Sequence, residues 1–270
     1  MSFTQTETLS QPPLFLFNPK HRLQDAFVRP PDELVYLALM ELSLINIELI
    51  EFRLPLYARM NVPAMMTHYT YLVPDEQLHK ASEALLELGL PAFYPDNTLQ
   101  GDFLTLAKTH RITRSTAPGL LQYLSLLPAS FASFTPEELS EIHILPPKGS
   151  SFDHTLHIYS PRPSAVYSCL FRALSRYPRS ARTRGTLLAD LAELIRYNLL
   201  KATCFNEETI DDDAEEYNVD DDPDVQDALG QVRRWSEAGE WREGEEWIGD
   251  CLAAVVSGKG RIELVPWKTG

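Results

Sequence analysis

The sequence has no long apolar run, no paired cysteines and little glycine. No stretch reaches the roughly eighteen apolar residues that a transmembrane helix needs, and the start lacks the charged and apolar regions of a secretory signal. The three cysteines, Cys169, Cys204 and Cys251, lack the C-x-x-C spacing that indicates zinc or redox chemistry. We therefore expect a protein inside the cell, in the cytoplasm with the nucleus left open, whose cysteines are reduced and structural.

Glycine is also scarcer than proline, at 12 against 20 residues in a chain of 270. This balance predicts rigid, irregular connections between short elements. The hydrophobic fraction of 44% is high enough for a packed core. A chain of this length is expected to form one core, with or without a helical appendage.

The acidic charge is concentrated in one segment. Residues 206–250 hold eighteen acids and three arginines, a net charge of −15, whereas the whole chain carries −14. The rest of the chain is therefore nearly neutral. A segment of this charge repels nucleic acid, so we do not expect a nucleic-acid partner.

Local patterns divide the chain into three parts. Residues 1–30 are predicted to be an irregular arm, residues 31–145 an α/β core, and residues 146–270 a mainly helical part packed on it, with an acidic flexible loop at 206–224. The clearest unit is a strand at Met66–Pro74 followed by an amphipathic helix that ends at Gly89.

Two further local patterns predict elements outside that unit. The stretch from Thr135 to Ile142 has proline and glutamate where a capping box needs them, which predicts a helical turn. Near the C-terminus, RIELVPW at residues 261–267 is typical of a strand.

The stretch THYTYLVPDEQLHKASEALLELGLP, residues 67–91, resembles the core of minimal nucleotidyltransferase-like proteins. In that family the strand reads roughly T-x-D-I-D and is followed by a helix ending in L-x-x-x-G. The resemblance implies an α/β (α+β) fold, with a small mixed sheet of nucleotidyltransferase-like topology plus a C-terminal helical part. It covers about a third of the chain.

The chemistry of that family is not matched. Thr67 aligns with the family threonine, but His68 and Thr70 occupy the positions of the two metal-binding aspartates. No glycine occurs between Glu33 and Met66, so the glycine-serine turn that holds the triphosphate is missing as well. We therefore predict no catalytic residues, no metal and no cofactor. Segments such as YLSLLPASF, residues 123–131, also resemble a group of uncharacterised proteins of filamentous fungi, which implies no activity.

Other candidate metal sites are weak. The acidic loop does not satisfy an EF-hand, because counting from Asp211 the sixth position is Glu216 instead of glycine and the twelfth is Asp222 instead of glutamate. His154 and His157 could share a metal on a helix, but their surroundings are typical of an extended chain. We interpret both as surface groups.

A run of arginines without any acid lies between Tyr159 and Ala189 and forms a local basic field. It is the candidate contact surface for an anion or a partner, because two arginines four apart on a helix can bind a phosphate or carboxylate together. The alternative is that these arginines pair within the protein and neutralise the acidic loop. The six are Arg162, Arg172, Arg176, Arg179, Arg182 and Arg184.

Three functions remain open at this point. The leading hypothesis is a non-catalytic nucleotidyltransferase-like binding or scaffold protein, that is, a pseudoenzyme. The second is a nucleotidyltransferase-type enzyme whose metal-binding acids come from elsewhere, such as Asp75, Asp96 or Asp102. The third is an interaction protein that uses its acidic loop. A nucleotide or an unknown protein is the partner that these hypotheses allow, and no membrane is expected.

Overall fold

The computed structural model describes residues 26–63, 67–94, 101, 103–115, 117, 119–202 and 222–265. These residues form a mixed α/β fold with one six-stranded sheet and a C-terminal group of helices. This confirms the predicted α/β class, with the sheet mixed and the helices C-terminal. A nucleotidyltransferase-like topology stays a prediction. Among the described helices, none combines the length and the apolar composition needed to cross a membrane.

The sheet contains both parallel and antiparallel pairs. Its strands, in chain order, are β1 (Ile50–Phe52), β2 (His68–Val73), β3 (Lys108–Arg111), β4 (Tyr123–Pro128), β5 (Leu139–Ile144) and β6 (Leu156–Pro161). They lie in the order β3-β4-β2-β1-β6-β5. The pairs β1–β6 and β2–β4 are parallel, and β1–β2, β3–β4 and β5–β6 are antiparallel.

Helices cover both faces of the sheet. In chain order they are α1 (Pro31–Leu44), α2 (Leu54–Arg59), α3 (Leu78–Leu88), α4 (Phe103–Leu106), α5 (Pro163–Arg176), α6 (Arg182–Leu194), α7 (Pro223–Glu237) and α8 (Trp247–Val256), with a π-helical turn at Ile195–Leu199 after α6. One face packs on α1 and α3 and includes Tyr71 and Leu126. The opposite face packs its apolar residues, such as Leu72 and Leu127, against Cys169 of α5.

The strand-helix unit that the sequence predicts is present. Strand β2 leads through a short 3-10 turn into α3, and Gly89 ends the helix in the left-handed conformation, with φ 101°. The amide of Leu90 donates to the carbonyl of Leu85 across this cap. Glycine is suited to this position because it has no Cβ to clash at positive φ.

Two local predictions are wrong, the first in the extent of a helical turn and the second in the type of element. The capping box of Thr135 and Glu138 forms, but it closes only a 3-10 turn, and Leu139–Ile144 is strand β5 because it pairs with β6 along its whole length. Near the C-terminus, Ile262–Leu264 is a 3-10 turn instead of a strand.

The predicted boundary between the α/β core and the helical part, at residue 145, falls between strands β5 and β6. These two strands pair with each other, and β6 lies inside the sheet between β1 and β5. The helices that follow β6 have their own core with α2, built around residues such as Tyr167, Phe171, Leu191 and Ile248.

The predicted arm at 1–30 lies mostly outside the described residues. The same holds for most of the acidic loop 206–224, of which Asp222 caps α7 by accepting a hydrogen bond from the amide of Asp224 at 2.8 Å.

Candidate functional site

A polar cluster lies where the sheet meets the helical part, and we call it the Arg53 cluster. It consists of Arg53, Tyr57 and Asp190, with His68 and Tyr123 beside them. Arg53 follows β1, Tyr57 lies on α2 and Asp190 lies on α6. His68 and Tyr123 are the first residues of β2 and β4 and stand opposite each other in the sheet.

The backbone of Arg53 is strained. Strand β1 ends at Phe52 and helix α2 begins at Leu54, so the chain turns at one residue, with φ 54° and ψ −124°. A residue with a Cβ rarely adopts this backbone conformation, and the strain costs on the order of 1–3 kcal/mol. Such strain persists only where the surroundings hold the residue in place.

Asp190 holds the Arg53 side chain in place. The Nε and Nη2 groups of Arg53 donate to the two carboxylate oxygens of Asp190, each at 2.9 Å, and the hydroxyl of Tyr57 donates to Oδ2 at 3.2 Å. Burial acts to lower the pKa of Arg53, but the charge and hydrogen bonds of Asp190 outweigh it and the pKa is raised. Burial, followed by the charge of Asp190, raises the pKa of Tyr57. The arginine therefore stays charged and the phenol stays protonated.

His68 stands next to this ion pair as a neutral ring. It stacks on Tyr123, with the ring centroids 3.9 Å apart. Burial, followed by the positive charge of Arg53, lowers its pKa to about 4. A neutral imidazole offers one donor and one acceptor and no charge at pH 7.

A row of hydroxyl groups continues from His68 across the same face of the sheet. Thr70 on β2, Ser125 on β4 and Thr109 on β3 are register neighbours, and all three are buried. The hydroxyls of Thr109 and Ser125 are 3.0 Å apart and hydrogen-bonded. This face therefore presents neutral polar groups to the helical part, with Arg53 and Asp190 as a paired charge at its side.

The pKa of His68 should make stability depend on pH. The unfolded chain binds a proton at this residue near pH 6.5, whereas the folded protein binds it only near pH 4. Between these values the unfolded state holds more protons, so stability falls as the pH falls. We expect the wild type to lose about 2–3 kcal/mol more than His68→Gln between pH 7 and pH 4.5.

Urea unfolding at both pH values measures this difference. Burial also lowers the pKa of His110, which bonds to Ser82 and to the carbonyl of Leu90, but that contribution is common to both proteins and cancels. An equal loss of stability in the wild type and in His68→Gln would show that His68 titrates normally in the folded protein.

The structure places His68 and Thr70 on one face of β2, because alternate residues of a strand point to the same side of the sheet. Of the other acids considered as metal ligands, Asp75 lies beyond the opposite end of β2 and accepts a hydrogen bond from the amide of Ser130 at 3.0 Å. Asp96 and Asp102 lie outside the described residues. Asp75, the one described residue of these three, therefore lies away from the Arg53 cluster.

A second buried carboxylate, this one on the sheet, is also paired. Glu51 on β1 faces Tyr71, on the side opposite to His68 and Thr70. Its two oxygens accept hydrogen bonds from Nε and Nη2 of Arg59 at 2.9 and 2.7 Å. Over the described ranges, no three histidine, cysteine, aspartate or glutamate side chains are grouped so that they could hold a metal ion.

The predicted basic field is distributed over several environments. Arg172 is paired with Glu138 and Glu245, and Arg162 with Glu240. Arg184 is buried and donates to the carbonyls of Leu174 and Val265, each at 2.6 Å. Arg176 donates to the carbonyl of Phe131. These bonds favour the interpretation that the arginines pair within the protein. The partners of these four arginines lie outside the 206–224 loop. A contact of Arg179 and Arg182 with an anion or a partner stays a prediction.

Sequence reasoning missed Arg53, Tyr57 and Asp190. The one local signal was the passage from a strand-like IEF into LPLYAR at Leu54, since a proline in the first turn of a helix marks a sharp start. Nothing local connects Arg53 with an aspartate 137 residues later.

Comparison with known proteins gives no match to this chain among family models, curated proteins or solved structures.

Proposed function

We propose that this chain is a non-catalytic, metal-independent binding or scaffold protein with a nucleotidyltransferase-like core. The observation that carries the proposal is the state of the Arg53 cluster, because its carboxylate is already bound by Arg53 and Tyr57. A magnesium ion needs carboxylate oxygens that are free to coordinate it. Here the same oxygens accept hydrogen bonds from a charged arginine that the backbone holds in a strained turn.

The residues at the predicted acid positions support the same conclusion. His68 is neutral and stacked on Tyr123, and Thr70 is a buried hydroxyl. Neither supplies the negative charge that two-metal phosphoryl transfer requires. The positive charge of Arg53 also disfavours a cation at this end of β2.

The scaffold part of the proposal is supported by the connection between sheet and helices. Glu138, just before β5, bonds to Arg172 of α5 and to Arg242 in the connection between α7 and α8. Together with the Arg53–Asp190 pair, this gives two largely buried ionic links between the sheet and the helical part. Such links fix the sheet against the helices.

A thermal-shift series with nucleoside triphosphates, with and without Mg²⁺, tests this proposal. A ligand at about 100 times its Kd stabilises a protein by roughly 2.7 kcal/mol, which is a shift of several degrees for a chain of this size. We expect no Mg²⁺-dependent shift and no nucleotidyl transfer. Stabilisation without Mg²⁺ dependence would identify a nucleotide as a ligand of a non-catalytic protein.

The contrary result is also well defined. Mg²⁺-dependent stabilisation together with transfer activity that is lost in Thr70→Val would overturn the proposal. The variant Ser140→Ala is the matched control, because it also removes one hydroxyl from a strand but lies at the far edge of the sheet, on β5.

A further inference from the structure

Strand β5 forms one edge of the sheet. It is the last strand in the sheet order, and within the described ranges its outer side forms no strand pairing. The opposite edge, β3, is partly covered, because the amide of Phe93 donates to the carbonyl of Thr109 at 2.8 Å and the amide of Arg111 donates to Pro91 at 3.0 Å. An unpaired edge is a template for pairing with another strand.

The ladder shows which backbone groups point outward. The amide of Arg162 donates to the carbonyl of Glu138 at 2.9 Å, so in this antiparallel pair the backbone groups of Ser140, Ile142 and Ile144 also point toward β6. The alternate residues direct theirs to the outside. These are Leu139, Glu141 and His143 of β5, and Leu145 is the next residue in the same alternation.

The sequence of this edge is complementary to itself. The segment LSEIHIL, residues 139–145, can pair antiparallel with a second copy about a two-fold axis at Ile142. Glu141 then faces His143 of the other copy, and Leu139 faces Leu145. All four are outward-directed residues, so their amides and carbonyls can exchange hydrogen bonds in this register.

Three of the four outward-directed side chains are exposed, and Leu139 is half-buried. Glu141 and His143 are exposed, and Leu145 is 71% exposed. One carboxylate oxygen of Glu141 accepts a hydrogen bond from Nδ1 of His157 at 2.6 Å, which leaves the second oxygen for another donor. The ring of His143 lies beside His157, with the centroids 4.5 Å apart.

We propose that two copies of this chain form a symmetric dimer by pairing their β5 strands, so that the two sheets become one continuous sheet. The two-fold axis passes through Ile142, where the two isoleucine side chains meet. Two Glu141–His143 pairs, one on each side of the axis, set the register. This interface lies away from the Arg53 cluster and does not depend on the proposed function.

Light scattering coupled to size-exclusion chromatography, from low to high micromolar concentration, tests the dimer. We expect a mass of about twice the 30.6 kDa of the chain. His143→Glu places like charges opposite each other twice and should weaken the dimer about tenfold or more. Exchanging both residues, Glu141→His with His143→Glu, should restore it. His79→Glu, an exposed histidine on α3, is the matched control and should leave the mass unchanged.

A cysteine at the axis tests the register. Ile142 faces its own copy as a non-hydrogen-bonded pair, with a Cα separation of about 4.5 Å that a disulfide can span. Under oxidation, Ile142→Cys should give a covalent dimer, whereas Ser140→Cys should not, because its two copies lie about 13 Å or more apart. The wild type shows any background from the native cysteines.

Three results would overturn the proposal. The first is a monomer at every concentration. The second is a dimer that His143→Glu leaves unchanged, since it must use another surface. The third is covalent dimer formation that is equal in Ser140→Cys and Ile142→Cys. Circular dichroism and the melting temperature show whether each variant is folded.

Discussion

Replacing Glu138 with alanine should destabilise the protein by about 3–5 kcal/mol, because it removes the partner of two buried or half-buried arginines. The Glu138 side chain is 3% exposed, and those of Arg172 and Arg242 are 12% and 30% exposed. Without the carboxylate, Arg242 loses its carboxylate partner and Arg172 loses one of its two, in a region shielded from water. Urea unfolding at pH 7 measures the change in the free energy of unfolding.

The size of this effect follows from the number of bonds that one carboxylate accepts. Nη2 of Arg172 donates to Oε1 at 2.7 Å, and Nε and Nη2 of Arg242 donate to Oε1 and Oε2 at 3.0 and 2.5 Å. The backbone amide of Thr135 donates to Oε2 at 3.0 Å and completes the capping box. Arg172 retains Glu245 after the substitution, so we expect Arg242 to be the more affected of the two.

Glu137→Ala is the matched control, because it makes the same change one residue earlier at an exposed position. A surface change of this kind should stay within about 0.5 kcal/mol. If Glu138→Ala costs no more than Glu137→Ala, the network does not hold the sheet to the helices.

The same network predicts a pH dependence. Burial acts to raise the pKa of Glu138, but the hydrogen bonds from Arg172 and Arg242 outweigh it, so the pKa lies below its ordinary value. The folded protein therefore resists protonation that the unfolded chain accepts. The stabilisation is complete above the unfolded pKa of about 4.3 and is lost as the pH falls below it. Glu138→Gln should reduce this acid-dependent loss.

Local signals predicted the elements that depend on nearby residues. The β2–α3 unit was predictable because a β-branched and aromatic run, an amphipathic helix and Gly89 all lie within one short stretch. Cys169 on α5 is buried, and burial raises the pKa of its thiol to about 12.

The errors have a common physical cause. The capping box predicts a helical turn from Thr135 to Ile142, but SEIHI, residues 140–144, alternates in polarity, and pairing with β6 decides its structure. Strand β6 is itself placed by partners from both directions of the chain, β1 and β5. Short-range patterns carry no information about such partners, so the sheet order could not be derived from them.

The candidate site shows the same limit. The absence of acids at His68 and Thr70 is visible in the sequence, and it supports the proposal of a non-catalytic protein. The residues that occupy the site instead come from β1, α2 and α6, and their contacts span more than a hundred positions. Only the fold brings them together.

The Arg53–Asp190 pair should be the second large contributor to stability. The side chains of Arg53 and Asp190 are 17% and 10% exposed, so Asp190→Ala leaves a shielded charge and the hydroxyl of Tyr57 without this acceptor. We expect a loss of about 3–5 kcal/mol. Glu193→Ala, an exposed acid on the same helix, is the control and should change stability by less than about 0.5 kcal/mol.

A double-mutant cycle separates the cost of the unpaired charge from the value of the pair. Arg53→Gly removes the charge and also relieves the backbone strain at φ 54°, because glycine adopts positive φ readily. If Asp190 mainly serves to hold Arg53, then Asp190→Ala should cost much less in the Arg53→Gly background than in the wild type. Equal costs in both backgrounds would mean that the two side chains act independently, and that another contact holds the strained turn in place.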